Sequence, residues 1–505
     1  MFVERYFSKI SFYISVWMVL ALVFAFPVKA GTEDPFPVYP GIMPNVQFWT
    51  KVYTQHHTRQ GVIHDSENLE IIYDVIDLKP SSSRHARRQN SRLIRKTIHY
   101  YSQILQKLAK GQEPYSEDEI RVAKIFGPSP DPLVLIEASR NIRFQRGQSD
   151  RFRDGIIRSG RYLEKIKSIM REYQLPEDLA YLPHVESSFN YHAYSKFGAA
   201  GMWQFTYGTG KRYMTIDYTV DERRDPIISA YAAAKLLKEN YRKLGNWPLA
   251  VTAYNHGVNS MLRAQREKGD YETIFNEYDG RRFKFASKNF YSEFLAARDI
   301  AKNSEVYFGK LALEEPFPVE RIKLPGFVSV KKIASYFGTD INSIRYLNPA
   351  LRRPVFEEQK YITKGYELKL PLKNDTRQLA QAIPSDLFEP KQKRSRFYHV
   401  RKGDVAGAIA RRHNISLRDL IRANNLDRRA TIYVGQNLRI PGPGDEFEAQ
   451  TPLSEQIAMA LEESETKVSS GKKREIVKAK LLKNGPSDIE EKINLSVVSG
   501  DLPIH

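Results

Sequence analysis

Residues 185–205 read VESSFNYHAYSKFGAAGMWQF, and this stretch is the densest cluster of candidate site residues in the chain. Glu186 ends an apolar helical segment, and small polar residues follow it. A turn of glycine and alanine at 198–201 then brings Trp203 and Gln204 close to it along the chain. An apolar surrounding raises the pKa of a carboxyl group by disfavouring its charged form, and glycine lets a bulky ligand approach the backbone. The pattern therefore indicates a general acid beside a flat aromatic face and an amide.

Apolar residues recur at helical spacing through residues 31–312, which predicts a mainly α fold. In 31–145, a predicted N-terminal helical region, the stripes are Phe48, Trp49, Val52 and Tyr53; Leu69, Ile72, Tyr73 and Ile76; and Leu93, Ile94, Ile98, Tyr101, Ile104, Leu105 and Leu108. In 146–312, Pro176 begins the helix that leads to Glu186. The segments 230–244 and 247–256 are each followed by glycine, as helix ends often are.

The segments 318–372 and 398–442 are two copies of one repeat. Equivalent residues stand at a constant offset: Ile333, Ile341, Ile344 and Asn348 in the first copy, and Ile409, Leu417, Leu420 and Asn424 in the second. Each copy predicts a small α+β module with the order strand, helix, helix, strand. Ser416 suits the cap of a second helix. Residues 373–397 are predicted to be a basic linker, and the charged tail 443–505 is predicted to be disordered.

The composition points to an exported protein with an anionic partner. Residues 1–30 have a basic start, an apolar run and small residues before Gly31, as in a signal peptide, and both a cleaved signal and a retained anchor fit them. The 505 residues carry a net charge of +19 and no cysteine. The absence of cysteine excludes disulfides, thiolate metal sites, a cysteine nucleophile and a lipid-modified cysteine. We expect a periplasmic or cell-envelope location, where an acidic wall polymer suits the charge and nucleic acid does not.

Several spaced motifs resemble the type D branch of the lytic murein transglycosylases. These motifs are VESSFN with SKFGAAGMWQF, AYNHG at 253–257, FASKNFYSEFLAA at 285–297, VDERRDP at 220–226 and HDSENLEIIY at 64–73. The two repeats resemble LysM modules, which bind glycans that contain N-acetylglucosamine. The first copy is degenerate because it lacks the Gly403-Asp404 turn of the second. In the second copy, Val405 and Ala406 depart from the LysM pattern.

The resemblance implies a lysozyme-like helical catalytic domain of the goose type at 146–312, with a single catalytic acid and no cofactor. Glu186 is expected to protonate the oxygen between N-acetylmuramic acid and N-acetylglucosamine. It would then deprotonate the muramic 6-hydroxyl, which attacks its own anomeric carbon and leaves a 1,6-anhydro end. The residues expected to bind the substrate are Ser187, Met202, Gln204, Tyr254, Asn255 and Tyr291.

Two other functions remain open from the sequence. A second carboxylate acting as a base for water would make the protein a hydrolytic muramidase, and the acids that follow Glu186 are Asp217, Asp221, Glu222 and Asp225. A non-catalytic wall-binding scaffold would keep the repeats but not turn over. The histidines show no i, i+4 pair with a neighbouring acid of the kind that a zinc helix uses, so no metal site is expected. Membrane association is expected only through an uncleaved leader.

Overall fold

The computed structural model describes residues 34–441 except Ser82, 394–396, Asn425 and Arg428. The predicted signal peptide at 1–30 and the predicted tail at 443–505 lie outside these residues. No helix within the described part of the chain is both long and apolar enough to cross a membrane.

Backbone contacts divide the chain into two units. The N-terminal unit comprises residues up to Ile157, Leu163–Ser188 and Ala233–Ala312, and the C-terminal unit comprises the remaining residues. The predicted boundary between residues 145 and 146 falls inside the N-terminal unit. The described structure is mainly helical with small antiparallel sheets, as predicted.

Helices form most of the N-terminal unit. Their bounds are α1 Met43–Thr54, α2 Arg84–Ala109, α3 Glu117–Phe126, α4 Pro132–Asn141, α5 Ser149–Ser159, α6 Leu163–Glu172, α7 Leu182–Ser187, α8 Pro226–Leu244, α9 Trp247–His256, α10 Val258–Lys268, α11 Tyr271–Glu277, α12 Phe285–Lys302 and α13 Ser304–Phe308, of which α5 and α8 continue into the C-terminal unit. Side chains cap several of these helices, as at α3, where Ser116 and Glu119 form a capping box. The predicted segment 247–256 is α9, and Asn246 caps it by accepting a hydrogen bond from the Leu249 amide.

Three strands in the predicted N-terminal helical region form an antiparallel sheet in the order β2-β1-β3. Their bounds are β1 Gln60–Asp65, β2 Ile72–Asp77 and β3 Ile142–Arg146. The helix predicted from Leu69, Ile72, Tyr73 and Ile76 is therefore wrong. The segment is rich in β-branched residues, which pack well on a pleated surface. Tyr73 and Ile76 are both buried in the strand, and their spacing imitates a helical stripe.

Helix α12 lies at the centre of the N-terminal unit and packs against α1, α7 and α9. Asn45 of α1 donates a hydrogen bond of 2.8 Å from Nδ2 to Oδ1 of Asn289, and the indole of Trp49 donates to the same oxygen at 3.4 Å. All three side chains are buried. These bonds fix the rotation of α1 against α12, so the face of α1 that carries Tyr53 meets the middle of α12.

The C-terminal unit contains both predicted repeats. The first copy consists of β4 Val319–Lys323, α14 Val330–Tyr336, α15 Ile341–Leu347, α16 Arg353–Phe356 and β5 Glu367–Pro371. After α17 Thr376–Gln381, the second copy consists of β6 Phe397–His399, α18 Ala406–Arg412, α19 Leu417–Asn424 and β7 Asn437–Arg439. In each copy the outer strands pair antiparallel and enclose a small apolar core. The second copy has the predicted order strand, helix, helix, strand, and the first copy has one further short helix, α16, before its closing strand. Ser416 accepts a hydrogen bond from the Asp419 amide, as its predicted capping role requires.

Residues 373–393 of the predicted linker 373–397 are folded onto the first repeat. Leu379 and Phe388 pack against the core of that repeat, and Phe327 pairs with Glu389 as an isolated β-bridge. The phenol of Tyr336 donates to the carbonyl oxygen of Ala382 at 2.9 Å. The basic residues that suggested a linker are interspersed with apolar ones, and burial of the apolar residues holds this segment in place.

The segment that precedes α8 is also joined to the first repeat within the C-terminal unit. Val220 is buried in the apolar core of the repeat and pairs with Leu351 as a β-bridge. Asp225 forms an ion pair with Lys369 of β5, with 2.5 Å between Oδ2 and Nζ. The VDERRDP motif at 220–226 is therefore part of the same folded body as the first repeat.

Candidate active site

Glu186 lies in the last turn of α7, a short helix that continues a 3-10 turn over Glu177–Tyr181. Ser188 ends the helix in a left-handed conformation, with φ of 51°, and its amide donates to the carbonyl oxygen of His184 at 3.2 Å. The carboxyl group therefore sits at a fixed helix end. The predicted helix from Pro176 to Glu186 is present, although its first part is 3-10 rather than α.

The surroundings of Glu186 favour its protonated form. Its side chain keeps part of its surface accessible to solvent although protein surrounds the carboxyl group. Burial and, as the smaller cause, the negative charge of Glu293 together raise the pKa of Glu186 to about 8. At neutral pH the group therefore carries a proton and remains reachable, which are the two requirements of a general acid.

A second carboxyl group, Glu293 of α12, lies beside the first. Only 4% of its surface is exposed, and burial raises its pKa to about 8 against the opposing effects of Tyr53 and Arg143. The phenol of Tyr53 donates to Oε2 of Glu293 at 3.4 Å. The pKa of Tyr53 is raised well above 10 by burial and by the charges of both carboxyl groups, which places the three residues in one cluster.

The sequence analysis did not identify Glu293, Tyr53 or Arg143 as site residues. A signal for Glu293 was present, because it is the one acid within the apolar stretch FYSEFLAA at 290–297. Tyr53 and Arg143 had no comparable signal. They precede Glu186 by many residues and reach the site through the packing of α1 and the position of β3.

Tyr254 and Asn255 lie at the end of α9. Burial raises the pKa of Tyr254 well above 10, and the charge of Glu186 adds to the effect, so the structure brings Tyr254 into the neighbourhood of Glu186. Asn255 accepts a hydrogen bond of 3.0 Å at Oδ1 from the hydroxyl of Ser287, which also lies 3.1 Å from Nδ1 of His256. The first turn of α12 therefore holds the side chain of Asn255 in the AYNHG motif.

Two other predicted site residues of this unit are buried. Ser187 is 4% exposed, and its hydroxyl lies 3.5 Å from the carbonyl oxygen of Pro183. Tyr291 has no exposed surface, and its phenol donates to the carbonyl oxygen of Pro37 at 3.0 Å. The predicted contact of Tyr291 with substrate is not compatible with this position. Tyr291 instead anchors the N-terminal segment to α12.

The predicted residues Met202 and Gln204 belong to the C-terminal unit. Met202 is completely buried. Gln204 is half-buried in a left-handed conformation, and its amide donates to the carbonyl oxygen of Gly201 at 2.7 Å. Gly201 has φ of 80°, and a Cβ atom there would lie 1.8 Å from the carbonyl oxygen of Arg223. The glycine of this motif is thus required by the close approach of two backbone segments.

The four acids that follow Glu186 in the sequence all have local structural partners in the C-terminal unit. Asp221 forms a buried ion pair with Arg223 at 2.8 Å. Asp225 pairs with Lys369, Asp217 accepts from the amides of Thr219 and Val220, and Glu222 accepts from the amide of Thr215. These contacts give each carboxylate a role in holding the loop.

Comparison with known proteins identifies two domains. Residues 165–275 match the Transglycosylase SLT domain, and residues 398–441 match the LysM domain. The chain therefore carries both domains, as the resemblance implied. The matched SLT region contains Glu186, Met202, Gln204, Tyr254 and Asn255, whereas Tyr53 and Glu293 lie outside it.

Individual proteins show the same similarity. The chain is 28% identical over 376 residues to membrane-bound lytic murein transglycosylase D of Escherichia coli strain K12, which covers 69% of this chain and 79% of that protein. It is 36% identical over 105 residues to a protein of Alteromonas sp. strain M-1 recorded under the name tributyltin chloride resistance protein, over 20% of this chain and 51% of that protein. The solved structure of an inactive mutant of lytic transglycosylase Slt from Pseudomonas aeruginosa covers 30% of this chain and 25% of that chain, with a TM-score of 0.24 and 16% identity.

Proposed function

We propose that this chain, with its SLT and LysM domains, is a peptidoglycan lytic transglycosylase. It cleaves the β-1,4 bond between N-acetylmuramic acid and N-acetylglucosamine and leaves a 1,6-anhydromuramic end. The observation that carries the proposal is the position of Glu186, a protonated and accessible acid at a fixed helix end within the SLT domain. Similarity to lytic murein transglycosylase D over most of that protein's length supports the same reaction.

The reaction needs only one acid because the proton that Glu186 donates to the bridging oxygen is replaced by one from the muramic 6-hydroxyl. The Glu186 carboxyl group donates a proton to the bridging oxygen as the bond to C1 of the muramic residue breaks. The Glu186 carboxylate then accepts the proton of the muramic 6-hydroxyl, whose oxygen bonds to C1 of the same sugar. No water is consumed, and an intramolecular attack gains the rate advantage of a nucleophile that is already in place.

Tyr254 and Asn255 are proposed to bind the substrate beside this acid. The raised pKa of Tyr254 keeps its phenol protonated over the whole physiological range, so it can donate a hydrogen bond to a sugar oxygen without competing for the proton of Glu186. Asn255 is held in place by Ser287 and can present its amide to an acetamido group. Ser187 is proposed to shape the cleft rather than to exchange protons.

The LysM domain and the basic charge are proposed to hold the enzyme on its insoluble substrate. The wall polymer is acidic, and a net charge of +19 favours association with it. The first repeat is proposed to contribute less to binding because the loop before α8 packs against it. We also propose export to the periplasm or cell envelope, on the basis of residues 1–30 and the membrane-bound relative.

Digestion of purified peptidoglycan tests the function. The full chain and the Glu186→Gln variant are incubated with the polymer, and the products are weighed by mass spectrometry. We expect products lighter by one water than those of a lysozyme. The variant should lose activity by at least about 100-fold, which is the usual contribution of general acid catalysis.

Two other outcomes would contradict the proposal. Hydrated, reducing ends would show a muramidase, and Asp217→Asn and Asp221→Asn would then be tested for the missing base. Retention on the wall without any product would show a binding scaffold. Glu164→Gln is the matched control, because Glu164 is an exposed acid of α6 that pairs only locally with Lys167.

A further inference from the structure

We infer that Glu293 and Tyr53 form a positioning pair that keeps Glu186 in its acid form as the pH rises. The inference rests on the proposed function and adds two residues to it, both outside the matched SLT region. Neither residue needs to contact the substrate. The pair acts on the reaction only through Glu186, from α1 and α12 behind it.

The packing of α1, α7 and α12 fixes the geometry of the pair. The phenol of Tyr53 donates to Oε2 of Glu293 at 3.4 Å. The ring of Tyr53 stacks on Phe152 with 4.8 Å between ring centroids, and Phe152 stacks on His184 of α7 at 4.9 Å. Tyr53 is therefore held between the helix that carries Glu186 and the helix that carries Glu293.

Packing alone does not explain an acid at position 293. The site is 4% exposed, and an ionised carboxylate is expensive to bury unless it is compensated. A glutamine of the same shape would also accept the hydrogen bond of Tyr53 without the cost of a charge. A titratable group kept in such a place beside a reactive acid indicates that its charge is used.

The charged and titratable groups around the pair determine the direction of its effect. Glu186 is faced by Glu293 from α12, Tyr53 from α1 and Tyr254 from α9, while Glu293 is also faced by Arg143 from β3. Arg143 and the Tyr53 hydrogen bond lower the pKa of Glu293, so they favour its ionisation before that of Glu186. The resulting negative charge opposes loss of the second proton, which stays on Glu186.

The pH dependence of kcat/KM tests the pair. Activity should fall as the pH rises through the pKa of Glu186, because the acid loses its proton. In Glu293→Gln the neighbouring charge is absent, so this alkaline limb should move to lower pH by on the order of one unit. Activity at pH 8 should then fall about fivefold, while activity near pH 5.5 changes little, since a one-unit shift leaves about a tenth of the acid protonated rather than half.

Tyr53→Phe should move the limb in the same direction by a smaller amount. Loss of the hydroxyl makes Glu293 harder to ionise, so Glu186 meets less negative charge. The control Glu164→Gln should leave the limb in place. Circular dichroism and thermal melting establish that each variant is folded.

A direct titration separates this inference from the proposed function. The carboxyl ¹³C resonance of Glu186, assigned by its absence in Glu186→Gln, is followed with pH in the wild-type chain and in Glu293→Gln. A lower midpoint in the variant supports the pair, even if the wild-type chain yields no anhydro product and the proposed function fails. An unchanged midpoint, or a loss of activity that is equal at every pH, would overturn the inference and leave Glu293 with a structural role only.

Discussion

The ion pair between Lys369 and Asp225 should be a major source of stability in the C-terminal unit. The Asp225 carboxylate is almost completely buried, with 2% of its side chain exposed, and Lys369 has 12% exposed. Asp225 also accepts hydrogen bonds from the amides of Ile227 and Ile228 at the start of α8. Lys369→Met would keep the length of the side chain and leave this carboxylate without its cation.

Breaking a buried pair by removing one partner costs about 3–5 kcal/mol, because the remaining charge is uncompensated. For a unit of this size each kcal/mol lowers Tm by about 2–4 °C, so Lys369→Met should lower the midpoint by roughly 6–20 °C. Lys364→Met is the matched control, since Lys364 is exposed in the turn before β5. Asp225→Asn combined with Lys369→Met removes both charges and should recover part of the loss.

The measurement is thermal unfolding of the full chain followed by circular dichroism, with limited proteolysis to locate the segment that opens first. We expect early cleavage near residues 217–225 in Lys369→Met, since this loop loses its attachment to β5. A midpoint within about 2 °C of the control would refute the reasoning, because it would mean that the buried carboxylate has no need of Lys369.

Three further predictions follow from the same contacts. Below pH 4.5 Glu186 and Glu293 are neutral in both the folded and the unfolded chain. Their raised pKa values make stability fall as the pH rises from about 4.5 to about 8, and Glu293→Gln should remove about 3–4 kcal/mol of the fall between pH 5 and pH 8 in urea titrations. Gly201→Ala should destabilise the chain by about 2–4 kcal/mol, because its Cβ would overlap the carbonyl of Arg223 and its φ is positive; an unchanged midpoint would contradict the close approach. Tyr291→Phe should lower the free energy of unfolding by about 1 kcal/mol, because the hydrogen bond to Pro37 is lost, and should leave kcat near that of the wild type. Tyr254→Phe should lower kcat. Equal losses of kcat in the two variants would show that Tyr291 also serves the reaction.

The sequence predicted the helices whose apolar stripes are long and whose ends are marked. The stripe from Leu93 to Leu108 is part of α2, and the segment from Trp247 to His256 is α9. The prediction failed at β2, where two buried residues three positions apart fit a strand as well as a helix. It also failed for 373–393, where charged residues conceal the apolar ones that pack on the first repeat.

The proposed catalytic acid could be singled out from the sequence because its motif is local. Glu186 and the residues after it are adjacent in the chain, so their spacing alone suggested the chemistry. The surroundings of Glu186 could not be predicted in the same way. Tyr53 and Arg143 reach the site through a helix and a strand that precede Glu186 by many residues. Tyr291 belongs to the motif at 285–297, but its side chain lies in the core.

An acid that must first donate one proton and later accept another is limited on both sides. If its pKa were near 4.5, little of the group would be protonated at neutral pH. If its pKa were very high, the carboxyl group would hold its proton too strongly to donate it to the bridging oxygen. A value of about 8 lies between these limits. Burial raises the pKa of Glu186 by the same amount at every pH. Glu293, in contrast, raises the pKa of Glu186 only once Glu293 has itself ionised. In the inferred role, the second carboxyl group thus extends the working range of the first towards alkaline pH.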